Sequence, residues 1–212
     1  MDAPTRYLKP LNENALFQHG AASFRLDAHT ARVVRTAFAQ AEWTPPDTPG
    51  HTAPFLPEKP VGHPTHGDTQ AVLDAVHLVV NDPVLVPGLR RLGRLTPIGL
   101  ELQDGAFDGN WHHDRMVRGH AGAFFLLLYF GEPTWDPSWG GGFFYGERDL
   151  AGDWAHTVDA PATSQVVWPQ DRIAVLGWNE NPRLVHRAQP LAAPKTRLTA
   201  IVPLDFTVHG AA

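Results

Sequence analysis

Cysteine is missing from this sequence of 212 residues. Its absence excludes disulfide frameworks, zinc fingers built on thiolates, iron–sulfur clusters and cysteine nucleophiles. A transition metal in this protein would therefore be bound by nitrogen and oxygen ligands. The sequence holds 12 histidines that could supply the nitrogen, and they are its most unusual compositional feature.

A long hydrophobic run and an excess of basic charge are also missing. The longest apolar stretch, residues 121–130, is about half of the ~20 residues that a membrane-spanning helix needs. The first six residues lack the basic-then-apolar pattern of a signal peptide. The formal net charge is -5, which disfavours nucleic-acid binding because such binding depends on neutralising phosphates. We expect a cytoplasmic protein without membrane or nucleic-acid partners.

The first half of the chain predicts helices on either side of an irregular segment. A short strand at residues 23–26 precedes apolar residues at helical spacing around 33–38, and Asp27 or Thr30 could cap that helix. Helical patterns return at residues 69–80 and near residues 83–92. Residues 43–70 are dense in proline, which regular elements do not tolerate, so we expect a long loop there and a candidate lid.

The second half predicts a series of short strands separated by turn-forming glycines and prolines. The strands are expected at residues 98–102, 124–130, 165–168, 173–176 and 197–202. Short strands at regular spacing without intervening helices are typical of a sandwich or jelly roll. We expect one domain over residues 1–212, mainly β with flanking helices. Its parts are an N-terminal buttress over 1–95 and a two-layered sheet over 96–205.

The strongest chemical signal is the run Trp-His-His-Asp at residues 111–114. His112 and Asp114 are two residues apart, so on an extended segment both side chains point to the same face. An imidazole and a carboxylate are two of the three ligands of the facial triad that binds non-haem Fe(II). His-x-Asp also occurs in ordinary surface turns, so the motif needs a third ligand.

A third ligand is available farther along the chain. His186 stands in a strand-like context, and Arg197 opens the last apolar strand. An arginine that points into a barrel needs an anion, for which a carboxylate is the usual bidentate partner. A salt bridge to an acidic side chain at a strand end is the alternative role of Arg197.

Taken in order, these motifs resemble the Fe(II)/2-oxoglutarate-dependent dioxygenases, and within them the prolyl 4-hydroxylase-like group. The resemblance covers residues 100–203, roughly the second half of the chain. Besides the candidate ligands, it rests on four segments: Leu-Glu-Leu-Gln-Asp-Gly at 100–105, Leu-Tyr-Phe-Gly at 128–131, Trp-Gly-Gly-Gly-Phe at 139–143 and Trp-Pro-Gln-Asp-Arg-Ile at 168–173.

The resemblance implies a jelly roll, or double-stranded β-helix, with His112, Asp114 and His186 as iron ligands. It also implies that Arg197 pairs with the distal carboxylate of 2-oxoglutarate and that the Tyr129 hydroxyl donates a hydrogen bond to the same group. The implied reaction uses Fe(II), 2-oxoglutarate and O2. It couples decarboxylation to succinate and CO2 with oxidation of a substrate C–H bond.

Two further expectations follow from the resemblance. A carboxylate at Asp114 favours hydroxylation, because family members that halogenate have a small residue there. His113, the residue between the two ligands, should face away from the metal.

Candidate substrate contacts lie next to these strands. They are Arg115, Trp139, Phe143, Tyr145 and Trp178, although the aromatic residues could equally fill a core and Arg115 could be solvated. The compact size favours a small molecule, such as a free amino acid or a natural-product intermediate. A prolyl or other residue in a peptide or protein is the alternative substrate. The sequence does not indicate an oligomeric state.

Three other functions compete with this interpretation. A nucleic-acid demethylase of the same fold class carries a second arginine six residues after the first, and here that position is Pro203. A cupin-type metal enzyme would need a His-x-His pair and a downstream glutamate. A non-catalytic jelly-roll module, such as a lectin that stacks sugars on aromatic rings, would bind neither iron nor 2-oxoglutarate.

Overall fold

The computed structural model describes residues 11–44, 61–64, 66–104, 109–114, 122–149, 158–192, 195 and 197–210. These residues form a short 3-10 helix at Pro137–Trp139 and four α-helices: α1 (Glu13–His19), α2 (Ala28–Gln40), α3 (His66–Val80) and α4 (Pro87–Leu92). They also form eleven strands: β1 (Ala21–Arg25), β2 (Trp43–Thr44), β3 (Val61–Pro64), β4 (Gly93–Pro97), β5 (Glu101–Asp104), β6 (Phe124–Tyr129), β7 (Phe143–Glu147), β8 (Ser164–Val167), β9 (Ile173–Trp178), β10 (Leu184–Ala188) and β11 (Leu198–Val208).

Side-chain and glycine caps define the first two helices. The Asp27 carboxylate accepts hydrogen bonds from the backbone N–H groups of His29 and Thr30, which starts α2 where the sequence predicts a cap. The sequence analysis missed α1, which has only seven residues. Its ends are set by the Asn12 side chain and by Gly20, whose φ of 81° is a left-handed conformation that favours glycine.

Two antiparallel sheets face each other. The major sheet has the order β1-β9-β6-β11-β5-β3-β2, with β4 also paired to β11. The minor sheet has the order β10-β7-β8, and an isolated bridge between His112 and His186 adds the segment around His112 beside β10. From β5 to β11 the chain passes repeatedly between the two sheets. This arrangement is a jelly roll, as the sequence predicts.

The major sheet is covered on both faces. One face packs against α2 and α3 and forms the larger core, to which β6 contributes Phe124, Leu126 and Leu128. The other face packs against the minor sheet, and there β6 contributes Phe125, Leu127 and Tyr129 to a second cluster. The continuous apolar run of β6 is explained by this arrangement, because a strand covered on both faces has no polar side.

Several boundaries differ from the sequence-based expectations. The strand predicted at residues 98–102 begins three residues later, as β5, and the sequence did not predict β4 before it. It also has β2 and β3 inside the expected loop at 43–70, where β3 is held by pairing with β5. The remaining prolines of that loop lie outside the described residues. The helix expected near residues 83–92 begins at Pro87, a residue that suits a first helical position. None of the described helices combines the length and apolarity needed to cross a membrane.

Candidate metal centre

The structure brings the three predicted ligands together. The backbones of His112 and His186 exchange two hydrogen bonds, from His112 N–H to the His186 carbonyl at 3.0 Å and from His186 N–H to the His112 carbonyl at 2.9 Å. Directly paired residues of antiparallel strands point to the same face, and the two imidazole centroids are 4.5 Å apart. Asp114 is two residues beyond His112 and completes the group.

The donor atoms of these side chains converge. Nε2 of His112 lies 3.4 Å from Oδ1 of Asp114, and Nε2 of His186 lies 3.5 Å from the same oxygen. All three ligand atoms lie within 4.8 Å of one another. Two donor atoms bonded to one metal ion at ~2.1 Å and at right angles would lie about 3 Å apart. The two separations from the Asp114 oxygen, 3.4 and 3.5 Å, are close to this value. Two imidazoles and one carboxylate are the donor set of a non-haem Fe(II) centre.

A backbone carbonyl orients the ring of His112. Its Nδ1–H donates to the carbonyl oxygen of Asn110 at 2.6 Å. In a neutral imidazole this contact leaves the lone pair on Nε2, the atom that faces Asp114. Metal-binding histidines are commonly oriented in this way, so the contact supports His112 as a ligand.

The protonation states also suit a metal. Burial tends to raise the pKa of Asp114, but the charges of His186 and His112 and their hydrogen bonds outweigh it and hold this pKa well below its usual range. Burial lowers the pKa of His186, which the neighbouring Asp114 carboxylate partly opposes. The group therefore offers a carboxylate and an unprotonated imidazole.

Aromatic rings surround the buried side of the cluster. The ring of Phe125 lies 5.2 Å from the His186 ring, and the ring of Phe143 lies 5.4 Å from it. Tyr145 in turn stacks on Phe143 at 5.9 Å. These contacts place two of the predicted substrate residues, Phe143 and Tyr145, beside the candidate ligands.

Arg197 is buried in the same barrel, with only 3% of its surface exposed. One guanidinium nitrogen, Nη1, donates to the Gly141 carbonyl at 2.7 Å and approaches the Gln189 carbonyl at 3.5 Å. Nε of Arg197 and the hydroxyl of Thr199 are buried without a hydrogen-bond partner in the described part of the chain. Such atoms are costly unless a ligand or water satisfies them, so these two are candidate contacts of a polar ligand.

Tyr129 is buried near Arg197. Its strand neighbour across the sheet is Thr199, two residues beyond Arg197. Burial raises the pKa of Tyr129, an effect that the Arg197 charge partly opposes, so the phenol stays neutral and able to donate. Burial lowers the pKa of Arg197, an effect that Tyr129 partly opposes, but an arginine remains protonated at neutral pH. The pocket therefore offers one fixed cation and two hydroxyl groups.

The other predicted site residues lie elsewhere. Trp139 packs edge-to-face on Trp135 at 5.4 Å, with Lys195 Nζ 4.1 Å from its ring centre. Trp178 pairs with Phe124 and therefore faces the helices, where its ring meets Phe17. The structure does not bring Trp178 to the cluster, so it no longer counts as a candidate substrate contact. The predicted contact at position 115 lies outside the described residues.

The ring of His113 is bound away from the candidate metal ligands, and three residues near the cluster were not expected. The Nε2–H of His113 donates to the Asn181 carbonyl at 3.1 Å, so this ring is engaged away from the three ligand atoms. Three residues near these groups were not predicted from the sequence: Phe125, Thr199 and Gln165. Thr199 could have been found, because it is two residues after Arg197 and lies on the same side of one strand. The other two depend on pairing between distant strands, which spacing does not reveal.

Comparison with known proteins bears on the fold. No protein-family model matches the sequence, and no curated protein matches it either. Among solved structures, a prolyl-4-hydroxylase from Pseudomonas putida matches with a TM-score of 0.56 and 16% identity over 90% of this chain and 95% of that one. A 2OG-Fe(II) oxygenase family oxidoreductase from Burkholderia pseudomallei matches with a TM-score of 0.58 and 12% identity, covering 90% and 86%.

A third similar structure is the epimerase SnoN, in complex with Fe3+, alpha ketoglutarate and nogalamycin RO. It matches with a TM-score of 0.56 and 14% identity, over 90% of this chain and 80% of that one. At these identities the likeness concerns the fold, and it confirms the architecture that the sequence resemblance implies. The protein thus has the jelly-roll fold of the 2OG-Fe(II) oxygenases, with a His-Asp-His cluster inside it.

Proposed function

We propose that this protein is an Fe(II)- and 2-oxoglutarate-dependent oxygenase that hydroxylates an unactivated C–H bond of a small molecule. The observation that carries the proposal is the convergence of two imidazole nitrogens and one carboxylate oxygen within 4.8 Å inside the barrel. A jelly-roll binding module without catalysis has no need for this donor set. The buried cation at Arg197, in the same barrel, adds a place for an anionic co-substrate.

In this proposal His112, Asp114 and His186 hold the iron. They would supply two imidazole nitrogens and one carboxylate oxygen, and a triad of this kind would leave coordination positions open for small ligands. A bound Fe(II) would activate O2, which is the oxidant both for the decarboxylation of 2-oxoglutarate to succinate and CO2 and for the hydroxylation of the substrate. The Asn110 carbonyl keeps the His112 ring in its binding orientation. The aromatic rings of Phe125 and Phe143 exclude water from the His186 side.

Arg197 and Tyr129 bind the distal carboxylate of 2-oxoglutarate. The Gly141 carbonyl holds one end of the guanidinium, so the nitrogen Nε remains to donate to a ligand oxygen. The Tyr129 phenol is neutral and can add a second hydrogen bond, and the Thr199 hydroxyl a third. Hydrogen bonds between charged partners are stronger than neutral ones, so this pocket selects a dianion over a monoacid.

The substrate approaches the same face of the minor sheet, beside Phe143 and Tyr145. We place the catalytic core at residues 96–205 and prefer a small molecule as substrate because the chain is compact. The similar structures include a prolyl-4-hydroxylase and a natural-product epimerase, so peptides belong in any substrate screen.

Anaerobic titration tests the metal assignment directly. Addition of Fe(II) and then 2-oxoglutarate should produce a visible charge-transfer band in the wild-type protein. The band should vanish in His112→Ala and in His186→Ala, because a triad that has lost one imidazole binds iron at least about 100-fold more weakly. His29→Ala, which removes an exposed histidine on α2, should retain it.

Aerobic succinate release then tests the chemistry. The wild type should convert 2-oxoglutarate slowly without substrate and faster with a compound it accepts. A band that persists in both histidine variants would show that the iron ligands have been misassigned. A wild type with neither band nor succinate would refute the oxygenase proposal.

A further inference from the structure

One line of side chains crosses the inner face of the minor sheet and includes two metal-ligand candidates. His112 bridges to His186, His186 pairs with Tyr145, and Tyr145 pairs with Gln165. Directly paired residues on neighbouring strands point to the same face. The side chains of His112, His186, Tyr145 and Gln165 therefore form a row from the candidate metal site to the edge strand β8.

Tyr145 is a polar residue in an apolar position. Only 4% of it is exposed, and it belongs to the cluster that fills the barrel. A buried hydroxyl costs free energy unless it is hydrogen-bonded, and a phenylalanine would fill the same space without that cost. The Tyr145 hydroxyl donates to Oε1 of Gln165 at 2.8 Å. Burial raises the pKa of Tyr145, so this group stays a donor at neutral pH.

The hydrogen bond fixes the direction of the Gln165 amide. Its oxygen faces Tyr145, so its NH2 group points away from the phenol and carries two donor hydrogens. Gln165 lies in the exposed part of β8, so a bound molecule can reach that group. Glu147, the next inner-face residue of β7 after Tyr145, is already engaged by His19 at 3.1 Å and Arg183 at 3.7 Å.

This donor and the residues proposed for 2-oxoglutarate contact different parts of the segment that contains β7. Arg197 is bound to the carbonyl of Gly141, which has a left-handed conformation and precedes the strand. Gln165 is bound to Tyr145 inside the strand, two residues or about 7 Å beyond Phe143. A co-substrate anchored at Arg197 therefore leaves the Gln165 amide to another molecule.

We infer that Gln165, oriented by Tyr145, is a specificity-determining residue whose amide N–H groups donate to a carboxylate or carbonyl oxygen of the oxidised substrate. This inference rests on the proposed oxygenase function and adds to it a chemical class of substrate. The substrate needs a carboxylate or carbonyl oxygen that reaches β8, which lies two strand spacings of about 4.8 Å each from His186. A plain amine or hydrocarbon lacks such an oxygen.

The substrate class is tested by succinate release with three matched sets of compounds: free L-amino acids, their primary amides, and the amines that lack the carboxyl carbon. Acids or amides should accelerate the reaction, and the matched amines should not. Acceleration by acids alone identifies a carboxylate as the acceptor, and acceleration by amides identifies a carbonyl. If amines work as well as acids, or if neither acids nor amides work, the inference is overturned.

The residue is tested by Gln165→Glu. Glutamate preserves the acceptor for the Tyr145 hydroxyl and hence the fold, but it removes the donor and adds a negative charge. The apparent KM for the accelerating compound should rise at least about 10-fold. The KM for 2-oxoglutarate and the iron-dependent absorption band should stay as in the wild type. Tyr145→Phe should raise this KM less. The Gln165 amide would keep its donor hydrogens and lose only the hydrogen bond from the Tyr145 hydroxyl that orients it.

Val166→Glu is the matched control. It puts the same charge one residue away, on the opposite face of the same strand. Equal rises in KM for both glutamate variants, or no rise in Gln165→Glu, would overturn the inference. These results remain distinct from failure of the oxygenase proposal, which would abolish the band and the substrate-free succinate release of the wild type.

Discussion

The two faces of strand β6 show how this protein divides stability from binding. On the helix side Phe124, Leu126 and Leu128 join a core made of apolar side chains. On the barrel side Phe125, Leu127 and Tyr129 face the minor sheet and the candidate metal centre. Alternate residues of one strand thus contribute to the stabilising core and to the candidate binding site.

The two faces of β6 differ in the polar atoms that are buried beside them. The barrel side contains Nε of Arg197 and the hydroxyl of Thr199, both buried without a hydrogen-bond partner among the described residues. Each such atom costs about 1–3 kcal/mol in the ligand-free protein. Among the described residues, the helix-side cluster is made of apolar side chains, so we expect it to supply most of the stability. The barrel side then keeps polar groups ready for ligands.

The different roles of the two faces of β6 are tested most strongly by truncating two neighbouring leucines, one on each face. Leu126→Ala should destabilise the protein by about 3 kcal/mol, because it opens a cavity in the helix-side core. Leu127→Ala should cost less, about 2 kcal/mol, and should weaken 2-oxoglutarate binding because its cavity opens into the barrel. Thermal unfolding and 2-oxoglutarate titration of the folded variants measure both effects. Equal loss of 2-oxoglutarate affinity in the two variants would remove the distinction between the faces.

Removal of the buried cation should have the next largest effect. Arg197→Ala should raise the KM for 2-oxoglutarate about 100-fold, since charge-assisted hydrogen bonds contribute about 1.5–3 kcal/mol each. Arg197→Lys should recover part of this loss, because it retains the charge without the planar fork. Arg32→Ala, on the exposed side of α2, is the control and should change nothing. An unchanged KM in Arg197→Ala would place the co-substrate anchor elsewhere.

The smallest and most diagnostic effect is expected at Thr199. Thr199→Val removes a buried hydroxyl that lacks a partner, so it should stabilise the ligand-free protein by about 1 kcal/mol. The same change should weaken 2-oxoglutarate binding about fivefold, because the ligand would otherwise satisfy that hydroxyl. The exposed Thr207→Val gives the comparison on the same strand. If Thr199→Val is less stable than the wild type and binds 2-oxoglutarate equally well, the barrel face does not hold polar groups for this ligand.

Much of the fold follows from local patterns. The strand β6 and the cap of α2 stand where the sequence predicts them, because hydrophobic runs and capping residues act over a few positions. The short helix α1 and the strands β2 and β3 were missed. A seven-residue helix has little periodicity, and two- or four-residue strands exist only through their pairing partners.

The residues of the candidate site also divide into those that the sequence predicts and those that only the structure reveals. His112 and Asp114 could be proposed from their spacing, and His186 and Arg197 from their order along the chain. Trp178 was assigned to the wrong side of the barrel because facing depends on register, and a shift of one residue reverses it. Gln165 could not be found from spacing, since its connection to Tyr145 exists only across β7 and β8.

The amino-acid sequence by itself determined which kinds of ligand this protein can offer a metal. Without cysteine the donors are nitrogen and oxygen, and the motif order selects two histidines and one aspartate from a larger set. Only the tertiary structure decided which side chains meet. Strand register joins His112 to His186 and extends that row to Tyr145 and Gln165, because pairing in a sheet links residues that are far apart in the chain.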